Sequence, residues 1–311
     1  MKNMNILITG GAGFIGSNLA IKLANDNNVI IIDDLSRGKM KNIVSMTKNK
    51  NVKFIPGSIL NRNLLKQNLY GVDLVFHLAA ITSVSRSIDD PLLTNEVNVT
   101  GTLNVLTAAK NSNVKKVIFS SSSSVYGDSP TLPKVEDMAT NPNSPYAVTK
   151  LIGEHYCRIF NDIYQLPTVS LGYFNIYGPR QDSKSDYAAV IPRFIDKLAQ
   201  NQSPIINGDG KQTRDFTFVE DAIQANIIAA SSDITGILNV GTGKNISIYG
   251  LAEKLIEIMN KDIKPIYKDA RLGDVRDSLA DITKANAIGY KPKYSLNDGL
   301  KKTLKWFENE N

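Results

Sequence analysis

Short runs rich in Val, Ile and Leu alternate with segments whose apolar residues recur three or four positions apart. Residues 5–9, 29–32, 52–55, 72–76, 117–120 and 168–171 are each bounded by Gly or polar positions. They are apolar without strict alternation, which predicts strands covered on both faces. Residues 14–24, 97–110 and 146–162 carry the helical spacing. Strands alternating with helices predict a parallel sheet with right-handed crossovers.

Beyond Phe174 the pattern changes. Residues 178–187 and 201–214 are longer polar connections, while 189–199, 222–230, 248–259 and 296–307 read as helices and 236–241 as one more buried strand. The predicted organisation is therefore interleaved. Residues 1–173 and about 215–242 form a dinucleotide-binding domain, and 174–214 and about 243–311 form a smaller α/β lobe that closes over the sheet and binds substrate.

A chain of 311 residues, 42% hydrophobic and 21% charged, is too apolar to be disordered and long enough for a sizeable core. Its apolar runs, such as Val29-Ile30-Ile31-Ile32, are far too short to span a membrane. The N-terminus lacks the apolar stretch and cleavage site of a signal peptide. A single cysteine, Cys157, excludes an intrachain disulfide and suits a cytoplasmic protein. The net charge of +6 is spread along the chain. Its one mild cluster, Arg37, Lys39, Lys41, Lys48, Lys50 and Lys53, lacks interleaved aromatics, so no nucleic-acid partner is expected. With two histidines, His77 and His155, and no suitably spaced partners, no metal site is expected either.

The first candidate site follows the first strand directly. Gly10-Gly11-Ala12-Gly13-Phe14-Ile15-Gly16 lies between that strand and a helix. Glycines there let the turn tighten, let backbone approach a pyrophosphate, and let helix pack on strand. The second strand ends at Asp33, where a carboxylate would hold the adenine ribose hydroxyls and repel a 2′-phosphate. This favours NAD over NADP, although Arg37 just beyond could receive that phosphate. The fold class is thus α/β, a doubly wound parallel sheet of the Rossmann type.

The second candidate site is Tyr146 with Lys150, four apart on a predicted helix and so on one face. Of the chain's 12 tyrosines, only Tyr146 is followed four residues later by lysine. A phenol titrating near 10 is a poor base unless a cation favours the phenolate; Lys150 and an oxidised nicotinamide both could. The strand end Ser120-Ser121-Ser122-Ser123-Ser124 offers a hydroxyl, Ser122, to bridge phenol and substrate alcohol.

Together these residues resemble the extended short-chain dehydrogenases/reductases, in their nucleotide-sugar epimerase and dehydratase group. The likeness also rests on His77-Leu78-Ala79-Ala80, on Asn98-Val99-Thr100-Gly101-Thr102, and on Tyr173-Phe174-Asn175-Ile176-Tyr177-Gly178-Pro179-Arg180-Gln181. Asn207-Gly208-Asp209-Gly210, Thr213-Arg214-Asp215-Phe216, and Arg271 with Gly273-Asp274-Val275-Arg276 continue it. The resemblance implies NAD contacts at Gly10, Gly13, Phe14, Ile15, Gly16, Asp33, Ser58, Ile59, Leu78, Ala79, Ala80, Asn98, Tyr146, Lys150 and Tyr173. It implies sugar-nucleotide contacts at Ser83, Ser122, Tyr146, Asn175, Ala189, Val190, Arg193, Asn207, Arg214, Arg271, Asp274 and Ser278. Ser122, Tyr146 and Lys150 are the implied catalytic residues.

Relatives that dehydrate hexoses carry Asp-Glu directly after the catalytic hydroxyl residue, and decarboxylating ones carry a nearby Glu; here Ser123 and Ser124 stand there. The implied reaction is 4-epimerisation of a UDP-hexose through a transient 4-keto sugar, with NAD recycled. Ser278 takes the place of a bulky tyrosine found in similar enzymes restricted to non-acetylated sugars. This extends the implied range to UDP-GlcNAc/UDP-GalNAc beside UDP-Glc/UDP-Gal. Ser58, where relatives usually have Asp, implies weaker hold on adenine. Helices 97–110 and 146–162 correspond to a four-helix homodimer seam. A UDP-uronate 4-epimerase or another oxidoreductase of this fold, or a silent NAD-binding sensor, are the alternatives.

Overall fold

The computed structural model describes residues 1–183, 188–270 and 275–310. The N-terminal part runs β1 (Asn5–Thr9), α1 (Phe14–Leu23), β2 (Asn28–Asp33), β3 (Val52–Pro56), α2 (Arg62–Asn68), β4 (Leu74–His77), α3 (Val84–Asp89), α4 (Pro91–Asn95), α5 (Gly101–Asn111), β5 (Lys116–Ser122), α6 (Pro145–Tyr164) and β6 (Thr168–Tyr173). There follow β7 (Ile176–Tyr177), α7 (Val190–Ala199), β8 (Ile205–Asn207), β9 (Thr213–Arg214), β10 (Thr217–Phe218), α8 (Val219–Ser231), β11 (Gly236–Val240), β12 (Ile246–Ser247), α9 (Ile248–Ile258), β13 (Ile266–Lys268), α10 (Thr283–Ala287) and α11 (Leu296–Glu310).

Seven strands form the central sheet in the order β11-β6-β5-β4-β1-β2-β3, every neighbouring pair parallel. The chain winds outward from β1 through β2 to β3, then returns to place β4 on the other side of β1. That reversal leaves a crevice beyond the carboxyl ends of β1 and β4, the place where open α/β sheets bind ligands.

The alternation of side chains along β1 builds two cores at once. Ile6 and Ile8 join α1 and α8 on one face, while Leu7 joins residues of α2, α5 and α6 on the other. The first core runs on without a break into the C-terminal lobe, through Phe194 and Leu198 of α7, Leu251 and Leu255 of α9, and Leu300, Leu304 and Phe307 of α11. Sheet and lobe therefore share one apolar interior.

Three local departures from the sequence expectations have identifiable causes. The strand expected at 72–76 is Leu74–His77, because Val72 is taken into a turn donating to Leu69 O. The helix expected at 97–110 opens as a π-helical turn, Glu96–Thr100, that carries Asn98 inward. Helices α2, α3 and α4 were not expected. Each begins at a side-chain cap, with Asn61, Ser83 and Asp90 accepting from backbone N–H groups two or three residues into the helix.

Helix α6 starts at Ser144, whose hydroxyl accepts from Ala147 N, and Pro145 occupies its first position. It packs on β5 at Gly153, where an added Cβ would stand 2.4 Å from Phe119 Cζ. Helix propensity alone makes Gly153→Ala stabilising by about 1 kcal/mol. The buried Phe119 ring leaves no room, so a net loss of about 1–3 kcal/mol is expected, read from the urea midpoint; a raised midpoint would contradict this packing.

Candidate active site

The crevice is a cleft of about 810 Å³ that runs from the Gly-rich turn to the lobe. At one end, Gly10 has φ +69°, and a Cβ there would meet Ala79 N at 2.7 Å. A Cβ on Gly16 would lie 2.2 Å from Gly10 O, so only glycine lets α1 seat on the turn. Gly13 begins α1 without any side-chain cap, which leaves first-turn N–H groups for an anion. Asp33 accepts from Ala12 N and Leu35 N, both at 2.9 Å, one on each oxygen, and keeps lone pairs for further donors. Burial raises the Asp33 carboxyl above its usual range, against those two bonds.

The adjoining wall is Leu78-Ala79-Ala80, fixed from beneath by His77. Thr102 spends its hydroxyl proton on Asn98 O at 2.6 Å, so it accepts from His77 Nε2 at 2.9 Å. His77 Nδ1 then accepts from Thr9 Oγ1 at 2.7 Å, and Thr9 in turn accepts from Ala79 N at 3.3 Å. The ring is neutral: burial, reinforced by the Lys150 charge, pulls its pKa down to about 3.

At the centre of the cleft, Ser122 ends β5 and Tyr146 lies in the first turn of α6. Burial holds the Tyr146 phenol above its ordinary pKa, and the neighbouring Ser122 hydroxyl works against that shift. Lys150, one turn along, is buried behind the wall, with Nζ 5.9 Å from the Tyr146 ring centre and donating to Ser120 O at 2.7 Å. Burial draws its ammonium below the usual lysine range. Tyr173, beside them, accepts from Asn226 at 2.7 Å.

The cleft is also lined by Ser83, Asn175, Ala189, Val190, Arg193, Asn207, Arg214 and Ser278, and by Ser58 and Ile59. Asn175 adopts a left-handed conformation, φ +38°, and its amide donates to Asp215 O at 3.0 Å. Ser278 is a small, nearly buried residue, 3.5 Å from that amide. Arg214 Nη1 reaches Thr213 O at 2.8 Å and Arg276 O at 3.1 Å. Ser58 is already engaged locally, accepting from Leu60 N at 3.2 Å.

Two residues expected to contact the cofactor, Asn98 and Lys150, do not line the cleft. Asn98 is not on the cleft wall: both of its amide donors go to Ile81 O and Thr149 Oγ1, and its oxygen accepts from Ile81 N. It holds the wall in place from behind because the π-helical turn points it inward. Arg271 and Asp274 lie outside the described residues. Sequence reasoning also gave no role to Asp215, a fully buried carboxylate that gathers Thr242, Gly243 and Ala280 through four hydrogen bonds. It ties the segment carrying Arg214 to the end of β11.

Residues 6–241 match the model of the NAD dependent epimerase/dehydratase family. The chain belongs to this family. It is 44% identical to a UDP-N-acetylglucosamine 4-epimerase from Methanobrevibacter ruminantium, solved with UDP-N-acetylmuramic acid, with TM-score 0.97 over 100% of both chains. A UDP-glucose 4-epimerase from Thermotoga maritima, solved with UDP-glucose, is 38% identical, with TM-score 0.94 over 99% of each chain. A UDP-glucuronic acid 4-epimerase from Bacillus cereus, solved with UDP-glucuronic acid and NAD, is 34% identical, with TM-score 0.91 over 99% of this chain and 100% of that one.

The neutral His77 has a consequence for this family member's stability. Its pKa is about 3 in the fold against an ordinary 6.5, so the unfolded chain binds the extra proton in that window. Stability is therefore present above pH 6.5 and lost as pH falls, by on the order of 5 kcal/mol from this residue. His77→Gln, titrated by chemical denaturation from neutral to acid pH, is expected to flatten that slope; an unchanged slope would contradict a neutral buried ring.

Proposed function

We propose that this chain is an NAD-dependent 4-epimerase of UDP-hexoses, acting on UDP-GlcNAc/UDP-GalNAc and on UDP-Glc/UDP-Gal. The observation that carries the reading is the co-lining of one cleft by a nucleotide-binding turn, by Ser122 with Tyr146, and by the lobe residues Arg193 and Arg214. The cleft fits NAD: glycines stand where a Cβ would collide, the uncapped start of α1 would receive the pyrophosphate, and Asp33 would receive the ribose hydroxyls. When bound, NAD supplies a reversible acceptor for the hydrogen at C4″.

The protein's part is proton chemistry and anchorage. Tyr146 takes the proton of the 4″-hydroxyl, with Ser122 bridging phenol and substrate. Burial opposes the phenolate, so the Lys150 cation is needed to favour it. Arg193 and Arg214 hold the diphosphate while the keto sugar turns to offer its other face. Ser123 and Ser124 supply no carboxylate for elimination, and the small Ser278 leaves space for a 2-acetamido group.

Helix α6 presents Val148, Ile159, Ile163 and Tyr164 to solvent, Ile163 at 63% exposure. We place a homodimer seam here, formed by α5 and α6 of two copies, in a protein that works in the cytoplasm. Light scattering is expected to give twice the 34.1 kDa chain mass; a monomer would contradict the seam.

The test of function is incubation with UDP-GlcNAc, UDP-glucose and UDP-glucuronic acid, with C4 epimers resolved by NMR. Interconversion of the acetylated pair is expected. Turnover of UDP-glucose alone would overturn the wider range, turnover of the uronate alone would favour the uronate enzyme, and NAD binding without turnover would favour a sensor. Tyr146→Phe is expected to lose at least about 100-fold in turnover while still binding NAD.

A further inference from the structure

Glu154 lies one turn beyond Lys150 on α6 and is buried, although nothing in the proposed chemistry requires a carboxyl there. Its Oε1 accepts from Ser121 Oγ at 2.5 Å. Lys150 Nζ donates to Ser120 O, and Tyr146 lines the same cleft as Ser122. Two successive turns of one helix thus hold two successive residues of β5, and Glu154 grips the one directly before the proposed catalytic hydroxyl.

Building on the proposed function, we infer that Glu154 is a positioning residue. It fixes the β5 terminus that presents Ser122, and its negative charge keeps Lys150 cationic beside Tyr146. The groups around Glu154 fit this role. Lys150 and Cys157 flank it on α6, while Ser121 of β5 and the Tyr126 phenol on the turn after β5 face it. Lys150 is the only cation among them, and the one other group that senses its charge, His77, is neutral. Burial raises the Glu154 carboxyl, whereas the Ser121 bond and Lys150 favour its ionised form. A carboxylate one helical turn from Lys150 favours the lysine charge that the phenolate depends on.

The test compares wild type with Glu154→Gln, both loaded with NAD, by measuring kcat for UDP-sugar epimerisation from about pH 6 to about pH 10. The glutamine variant is expected to lose about tenfold in kcat and to show its alkaline limb at lower pH by about one pH unit. Glu154→Asp, which keeps the charge, is expected to restore the limb to its wild-type position. A Gln profile superimposable on wild type would overturn the inference, as would an Asp limb displaced like that of Gln. If the glutamine variant fails to fold, Ser121→Ala decides. A kcat loss of about tenfold would support the grip on β5, and a wild-type kcat would overturn it. Absence of wild-type turnover would overturn the function itself and this inference with it; wild-type turnover with an unshifted Gln profile would overturn the inference alone.

Discussion

A lysine ammonium and a glutamate carboxyl are buried together on one helix against a strand end made of serines, and the site depends on that arrangement. Removing an ion from water costs several kcal/mol even after relaxation, so such a pair persists only where hydrogen bonds and mutual attraction offset the cost. Here Ser120 O and Ser121 Oγ provide the bonds. The approach of α6 to β5 that makes them possible requires the missing side chain at Gly153. Asn98, bonded to Thr149 of the same helix, and Ser87, accepting from Tyr146 N, keep the N-terminal half of α6 in register with the cleft wall.

The sheet was legible because its strands are buried on both faces and read as apolar runs. The Gly-rich turn was legible because glycine is required there by φ and by close approach. Ser122, Tyr146 and Lys150 were legible as residue types at a spacing. What escaped was set by tertiary context. The short helices α3 and α4 bury little apolar surface of their own, and their cap signals at Ser83 and at Asp90 before Pro91 went unread. The inward turn of Asn98 comes from a π-helical step that no periodicity announces. Nothing in the sequence announces that Glu154 and Asp215 are buried.

The positive balance of the chain also takes on a local meaning. In the proposed function, the groups that would receive anions are backbone donors at the start of α1 at one end of the cleft and the guanidiniums of Arg193 and Arg214 at the other. Two phosphate-bearing ligands would then share one cleft, with Tyr146 and Ser122 on its wall. Much of the remaining charge sits on exposed lysines, several of them in surface ion pairs such as Lys284 with Asp137 and Lys302 with Glu220, which contribute little to stability.

The central claim is that the hydrogen at C4″ leaves the sugar and returns to it within the cleft. Deuterium placed at C4″ of UDP-GlcNAc and followed by NMR during conversion in ordinary water tests this directly. Full retention of the label at C4″ in both epimers is the predicted result. Wash-out of the label into solvent as the epimer forms would contradict it.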